Sequence, residues 1–451
     1  MGKSKVALFV SVMLLVCATA FAGGEKETGA GTETETPAAE QALPYEGEVL
    51  HFAVMADQFA EYTKVLSDEF KKKTGAEVKI DILGYVELMQ KITQDYATGS
   101  AEYDLANMDI VWTGQFEQEG WTRDLTSWIE RDKAEIDYDD IMPVLWVMGS
   151  WNDRQIGYPL AGYANSLIYR KDLFEDSGEK TAFKAKYGYD LAVPDTMDQL
   201  GDLAEFFTRP EENMFGLVSN GARGPAVAQD WMEYMRGFGG QVLSPSGEVT
   251  VNSKQCVDSL DFFVELFDKW APPGAIGYWW DDRESSYRTG QSVMQSSWSI
   301  ARAGYEDESI SLVAGKTGMA VTPRVEGQEA GYGVGGWGVA INADSSEKNA
   351  EIAWEFIKYM TSKDVQKDWM RNDGAPIRYS TLTDTELKSE MPWLGNILTV
   401  FEEGDGNYRP RVPEYSQIQD ILGLRINQAI THELGAKEAL DLAAEEIKAL
   451  Y

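Results

Sequence analysis

Tryptophan stands at four places where the chain is expected to turn. Trp112 precedes Thr113-Gly114, and Trp279-Trp280-Asp281-Asp282 follows Pro272-Pro273-Gly274. Trp298 closes the run Ser292 to Trp298, and Trp337 follows Gly335-Gly336. An indole face offers flat apolar area that can stack on the C–H face of a sugar, while nearby Asp, Asn and Arg take the hydroxyls. Core packing is the competing role for any one of these residues. Their recurrence at strand ends and glycine turns points instead to a ligand cleft, because open α/β sheets bind ligands beyond the carboxyl ends of their strands.

Other chemistry is thinly represented. There is no G-x-S-x-G elbow, no H-E-x-x-H and no P-loop. Gly331-Tyr332-Gly333-Val334-Gly335-Gly336 fits G-x-G-x-x-G, but it leads into a strand where a dinucleotide site needs a helix, so it reads as a flexible glycine segment. Carboxylate pairs such as Asp281-Asp282 and Glu402-Glu403 would suit a secreted glycoside hydrolase, which is the alternative to a binding protein. With 74 acidic residues, however, adjacent pairs arise readily as solvated surface. Asp405-Gly406-Asn407 resembles part of a calcium loop whose other ligand positions are missing, and no metal site or cofactor is expected. Two cysteines and two histidines exclude a disulfide framework and a thiolate or His-rich zinc centre. Cys256 reads as a small buried apolar group.

Composition narrows the partners. Lys and Arg total 40 against the 74 acids, a formal charge of −34, and that field repels nucleic acid and anionic membrane surfaces alike. Met1 to Ala22 has the form of a secretory signal: Lys3 and Lys5, an apolar run Val6 to Val16, and Ala20-Phe21-Ala22 at the cleavage site. Cys17 raises the option of a lipoprotein, although Val16 is a poor lipobox residue. Residues 23–45 form an acidic tether with too little apolar content to fold alone. The protein is therefore expected outside the cytoplasmic membrane.

The elements that must position the tryptophans alternate in type. Strands are expected at Val49–Met55, Val78–Leu83 and Asp109–Trp112, with helices through Phe59–Phe70 and Leu88–Tyr96 between them, a βαβαβ run of mostly parallel strands. Further strands are expected at Gly157–Leu160, Leu167–Tyr169, Phe215–Val218, Ser292–Ser296, Met319–Thr322 and Trp337–Ile341. Helices are clearest at Met197–Phe207, Val257–Lys269, Glu347–Thr361 and Ala436–Leu450.

Segments in order resemble the bacterial extracellular solute-binding proteins of family 1, the ABC-importer class that includes maltose-binding proteins. Phe70-Lys71-Lys72-Lys73-Thr74-Gly75 with Val78-Lys79-Ile80, and Tyr103-Asp104-Leu105 through Phe116 to Gly120-Trp121, are similar to its first two motifs. Tyr158-Pro159-Leu160 with Leu167 to Phe174, Tyr287 to Met294 ending at Trp298, and Gly335 to Ile341 followed by Ala353–Thr361 are similar to the next three. Ala271 to Ala275 and Asn220 to Gly224 look most like the sugar-alcohol and oligosaccharide binders. Thr196-Met197-Asp198-Gln199 and Arg170 depart from the family pattern.

The resemblance implies a two-lobed α/β fold with a hinge and a ligand cleft between lobes, and no enzymatic activity. Lobe 1 would comprise 46–159 plus 332–372, and lobe 2 160–331 plus 373–451. It implies a monomeric binding component that delivers a sugar, oligosaccharide or sugar alcohol to ABC importer permease subunits. Carried over residue by residue, it places Asp57, Tyr85, Asp109 and Trp112 after the first three strands. Tyr163 and Asn165 fall where the chain crosses between lobes, and Asn220 and Arg223 follow the Phe215–Val218 strand. Trp279, Trp280, Trp337 and Arg378 complete the set around Trp298, the strongest candidate for a sugar-stacking residue.

Overall fold

Short apolar runs form the strands and amphipathic runs the helices, in the alternation the sequence implies. A computed structural model describes residues 43–328 and 332–451. The signal segment Met1–Ala22 and nearly all of the tether lie outside the described residues. Strand β1 (Val49–Met55) is followed by helix α1 (Ala60–Thr74), β2 (Glu77–Leu83), helix α2 (Tyr85–Thr98) and β3 (Leu105–Asp109). Gly75 ends α1 in the left-handed conformation, φ 85°, where a side chain would be strained.

The two-residue strands β4 (Ser150–Trp151) and β5 (Arg154–Gln155) make a small hairpin. The chain then enters β6 (Tyr158–Arg170), a 13-residue strand. Four shorter strands complete the set: β7 (Phe215–Val218), β8 (Ser292–Trp298), β9 (Thr317–Ala320) and β10 (Val334–Ile341). The main sheet runs β2-β1-β3-β10-β6-β8-β7, with β9 also paired to β6. It is mixed, not mostly parallel: β1 pairs in parallel with β2 and β3, and β7 with β8, but β10 and β6 run antiparallel to their neighbours.

Three expectations are corrected. The segments Gly157–Leu160 and Leu167–Tyr169 are one strand, because Ala161 to Ser166 is buried on both faces and no polar residue breaks the run's pairing. The third strand ends at Asp109 instead of Trp112, since the Asp109 side chain accepts from Val111 N and turns Ile110–Trp112 into a 3-10 helix. The strand expected at Met319–Thr322 lies two residues earlier.

Helix α3 (Met197–Phe207) begins with a capping box in which Thr196 accepts from Gln199 N. Helix α4 (Pro225–Gly237) is buried almost throughout and packs against the helices Tyr415–Ile430 and Lys254–Glu265. Helix α5 (Trp280–Arg288) leads into β8, and α6 (Glu347–Met360) and α7 (Lys363–Arg371) cover the β1–β3 half. The side chains of Trp231, Trp354 and Trp369 are fully buried in the core, as is Cys256. Arg283 is buried at 2% exposure and donates to both Asp230 oxygens at 2.9 Å, to Glu284 at 2.7 Å and to Ser296 O at 3.0 Å. This charge cluster ties α4, α5 and β8 together. No described helix is long and apolar enough to cross a membrane.

Gly336 has φ 126° where β10 crosses β6, and a Cβ there would sit 2.0 Å from the Ala161 carbonyl oxygen. Gly336→Ala is expected to lose on the order of 2 kcal/mol or more, read as a lower melting temperature. Gly395→Ala, where an added Cβ meets nothing within 4 Å, serves as the control that should melt unchanged or higher.

Candidate functional site

The register of β6 brings distant residues into one row. Trp337 lies opposite Asp109 on one side and Ala161 on the other; Gly335 faces Tyr163, and Asn165 faces Trp298. Alternation along β6 puts Tyr163 and Asn165 on one face. Gly162 faces the other way, where an added Cβ would strike Leu145, the Pro376 carbonyl and Phe401. Asp57 and Tyr85 arrive from the turns after β1 and β2. Trp279 and Trp280 come from the start of α5 in the other half of the sheet.

Carboxylates supply the polar part. Tyr163 Oη donates to Asp57 Oδ2 at 2.5 Å. Burial pushes the Asp57 carboxyl up to about 6 against that hydrogen bond, and the charges of Asp281 and Glu284 push the same way. Tyr85 Oη donates to Asp109 Oδ2 at 3.2 Å, and Arg409 Nη2 lies 3.7 Å from Asp109 Oδ1. Burial raises Asp109 and the Arg409 charge opposes it. The Arg409 guanidinium also sits 5.4 Å from the centre of the Trp298 ring, a cation–π contact. Asn165 accepts from Ser296 Oγ at 2.8 Å, which fixes the orientation of its amide.

Aromatic rings form the rest. Tyr85 packs against Trp112, Trp280 and Trp337 at centroid distances of 5.3, 5.7 and 6.0 Å, and Trp112 meets Trp337 at 5.5 Å. Trp298 stands 6.2 Å from Tyr163. Gly335 must be glycine here, since a Cβ would fall 2.7 Å from the Trp298 ring and 2.9 Å from Arg409. Trp112 and Trp337 are buried and act as backing, whereas Trp279, Trp280 and Trp298 are half-buried.

Eleven of the thirteen expected residues thus gather at or near one edge, among them Asn220. It follows the end of β7, beside the end of β8, and is fully buried, yet neither its Oδ1 nor its Nδ2 has a hydrogen-bond partner among the described residues. A buried amide without partners costs about 1–3 kcal/mol per group, so it marks a place where a ligand or water would be held. Arg223 is exposed and is not drawn in.

Arg378 is a correction. It is buried, with Nε donating to Thr361 O at 2.6 Å, Nη2 to Ile136 O at 2.8 Å and Nη1 to Asp140 at 3.2 Å. All of its donating groups hold loops in place, which leaves none for a ligand.

Sequence reasoning missed Arg409, Tyr408 and Glu233. Tyr408 Oη donates to Glu233 Oε1, and an added Cβ on Gly333 would lie 2.4 Å from Glu233 Oε2. The only local signal was the run Arg409-Pro410-Arg411 after the supposed calcium loop. That loop does structural work: Val334 N donates to Asp405 O at 3.2 Å and Asp405 N to Tyr332 O at 2.9 Å. No cluster of metal-binding side chains occurs among the described residues. A separate cavity of about 330 Å³ is lined by Arg302, Asp307, Asp373, Met391 and Trp393, with Pro376 from the opposite face of β6.

Comparison with known proteins adds a family. The sequence profile of bacterial extracellular solute-binding proteins matches residues 53–367. A solute-binding protein of an ABC transporter from Agrobacterium radiobacter, crystallised with ribitol, is 41% identical, with a TM-score of 0.84 over 90% of this chain and 100% of that one. A maltose-bound protein from Thermotoga maritima is 28% identical, with a TM-score of 0.78 over 89% and 100%. A mannitol-binding protein of Pseudomonas aeruginosa is 25% identical over 79% of this chain and 82% of its own.

The buried acid Glu233 makes a prediction about pH. Burial raises its carboxyl from 4.5 to about 8, opposed by the Tyr408 hydrogen bond and the Arg409 and Arg283 charges and reinforced by Asp230. The folded protein therefore binds more protons than the unfolded chain in that range, and stability falls as pH rises through it. Asp57 acts in the same sense only up to about 6. Melting temperature should drop between pH 6 and pH 8 in the wild type, by a free energy of at most a few kcal/mol. Glu233→Gln should flatten that drop; an unchanged slope would mean that Glu233 is not the titrating group.

Proposed function

The chain belongs to the bacterial extracellular solute-binding protein family, and from that premise we propose that it is the binding component of an ABC importer whose ligand is a sugar alcohol. The convergence of hydroxyl-binding groups from both halves of the sheet carries this reading. Tyr163 and Arg409 lie beside Trp298, Asp57 and Asp109 pair with them, and the buried side-chain amide of Asn220 has no partner among the described residues. The 41% identity to a protein crystallised with ribitol supports a polyol over other solutes.

Each group has a role suited to an uncharged polyhydroxy compound. Asp57 and Asp109 accept from ligand hydroxyls and Arg409 donates, while Asn220 can do both. Trp298 offers apolar area to the C–H backbone. The two lobes meet at β6 and β10, so contacts that require both lobes favour the closed form over the open one. The permease would then recognise the closed form. Met1–Ala22 would export the chain, and tether 23–45, with or without a lipid on Cys17, would keep the monomer near the membrane.

Calorimetry against erythritol, ribitol, mannitol and maltose, with amino acids and phosphate esters as controls, tests the reading. Binding of at least one polyol, recovered unchanged, is expected; a response to the controls alone would sink it. Trp298→Ala should weaken polyol binding by about 1–3 kcal/mol if the indole is a desolvated platform. Unaltered affinity would return Trp298 to a packing role.

A further inference from the structure

The first turn of α5 leads toward β8 but packs against a residue that follows β2, in the other half of the sheet. Trp280 packs on Tyr85 with centroids 5.7 Å apart and planes at 64°. Asp281, the next residue, lies close enough for its charge to act on Asp57. The contact is backed on both sides. Trp279 packs edge-on to Trp280 at 4.9 Å and rests over Gly224, where an added Cβ would fall 3.3 Å from the indole. Tyr85 is held by Trp112, Trp337 and the hydrogen bond to Asp109. Behind α5, Arg283 fixes the helix to α4 through a buried ion pair with Asp230 and to β8 through a hydrogen bond to the Ser296 carbonyl. Neither ring can swing away without breaking packed or charged contacts.

Edge-to-face packing at this distance leaves no gap between the two rings, so a further sugar ring cannot pass between Trp280 and Tyr85. We propose that Trp280 against Tyr85 is the end wall of the cleft, restricting it to one short acyclic polyol and excluding disaccharides and longer glycosides. The inference rests on the polyol reading above and specifies its size limit. A ligand that extends past the wall has to separate Trp280 from Tyr85, which removes a contact that also closes the two lobes. The wall therefore discriminates by a steric clash against the longer ligand, a repulsive element beside the attractive polar groups.

The test is calorimetry with ribitol and maltose on the wild type, Trp280→Phe and Trp280→Ala, with melting curves to establish folding. Wild type is expected to favour ribitol. Trp280→Ala should narrow the ribitol-to-maltose affinity ratio by about tenfold or more, whatever happens to the absolute values, and Trp280→Phe should fall between. Should Trp280→Ala fail to fold, Trp280→Leu gives the same readout. An unchanged ratio in a folded variant, or a wild type that binds maltose as tightly as ribitol, overturns the wall and leaves the importer reading standing. A wild type that binds no polyol or sugar overturns both.

Discussion

Everything functional in this molecule hangs on the register of one strand. β6 is buried along most of its 13 residues and pairs with β10 over its first half and with β8 and β9 over its second. A shift of one residue would turn Tyr163 and Asn165 to the opposite face and drive Gly162 and Ala164 into the site. Such a shift is blocked by close fits on both faces. Gly162 leaves no room beside Pro376 and Phe401, and Gly336 leaves none beside Ala161. The hydrogen-bond ladder thus determines which of several distant segments meet, and the glycines permit the approach.

Buried charge plays a second, supporting part. Arg283, Asp230 and Glu284 are all buried, Arg283 pairs with both acids, and Ser219, Ser297 and Tyr305 add hydrogen bonds to the cluster. Removing one partner from such a cluster typically costs about 3–5 kcal/mol, because the charge left behind is unpaired. Its value to function is positional. The cluster seats α5 on β8, which sets where Trp279 and Trp280 stand relative to Trp298. Arg409 has the same dual character, bridging Asp109 from one half and Trp298 from the other.

Legibility in the sequence followed the range of the interaction. β1 and α3 were readable to the residue because their apolar periodicity and caps are local: Val49–Met55 is one largely apolar strand and Thr196 caps Met197–Phe207. β3 was misplaced by a few residues because a side-chain hydrogen bond from Val111 to Asp109 competes with strand pairing, and no period-2 pattern reveals that. The two halves of β6 were read as separate strands because a strand buried on both faces shows no alternation. Among candidate site residues, Trp298 was proposed from its motif position and Tyr163 and Asn165 from the expected crossing between lobes, and the register of β6 sets Asn165 opposite Trp298. Arg378 was assigned wrongly for the opposite reason: its partners Ile136 and Thr361 are far away in the chain, and nothing local distinguishes a buried clamp from a ligand contact.

The sequence by itself determined the class of protein. Its alternation of strands and helices set an α/β fold, and ordered motifs identified the family. Those properties depend on composition and on neighbours along the chain, so they can be read without coordinates. Tertiary structure alone decided which tryptophans are buried and which half-exposed, and brought Arg409, Tyr408 and Glu233 beside them from segments whose local sequence carries almost no signal. The reason is physical: strand register and long-range packing fix those relationships, and both are set by residues tens to hundreds of positions apart.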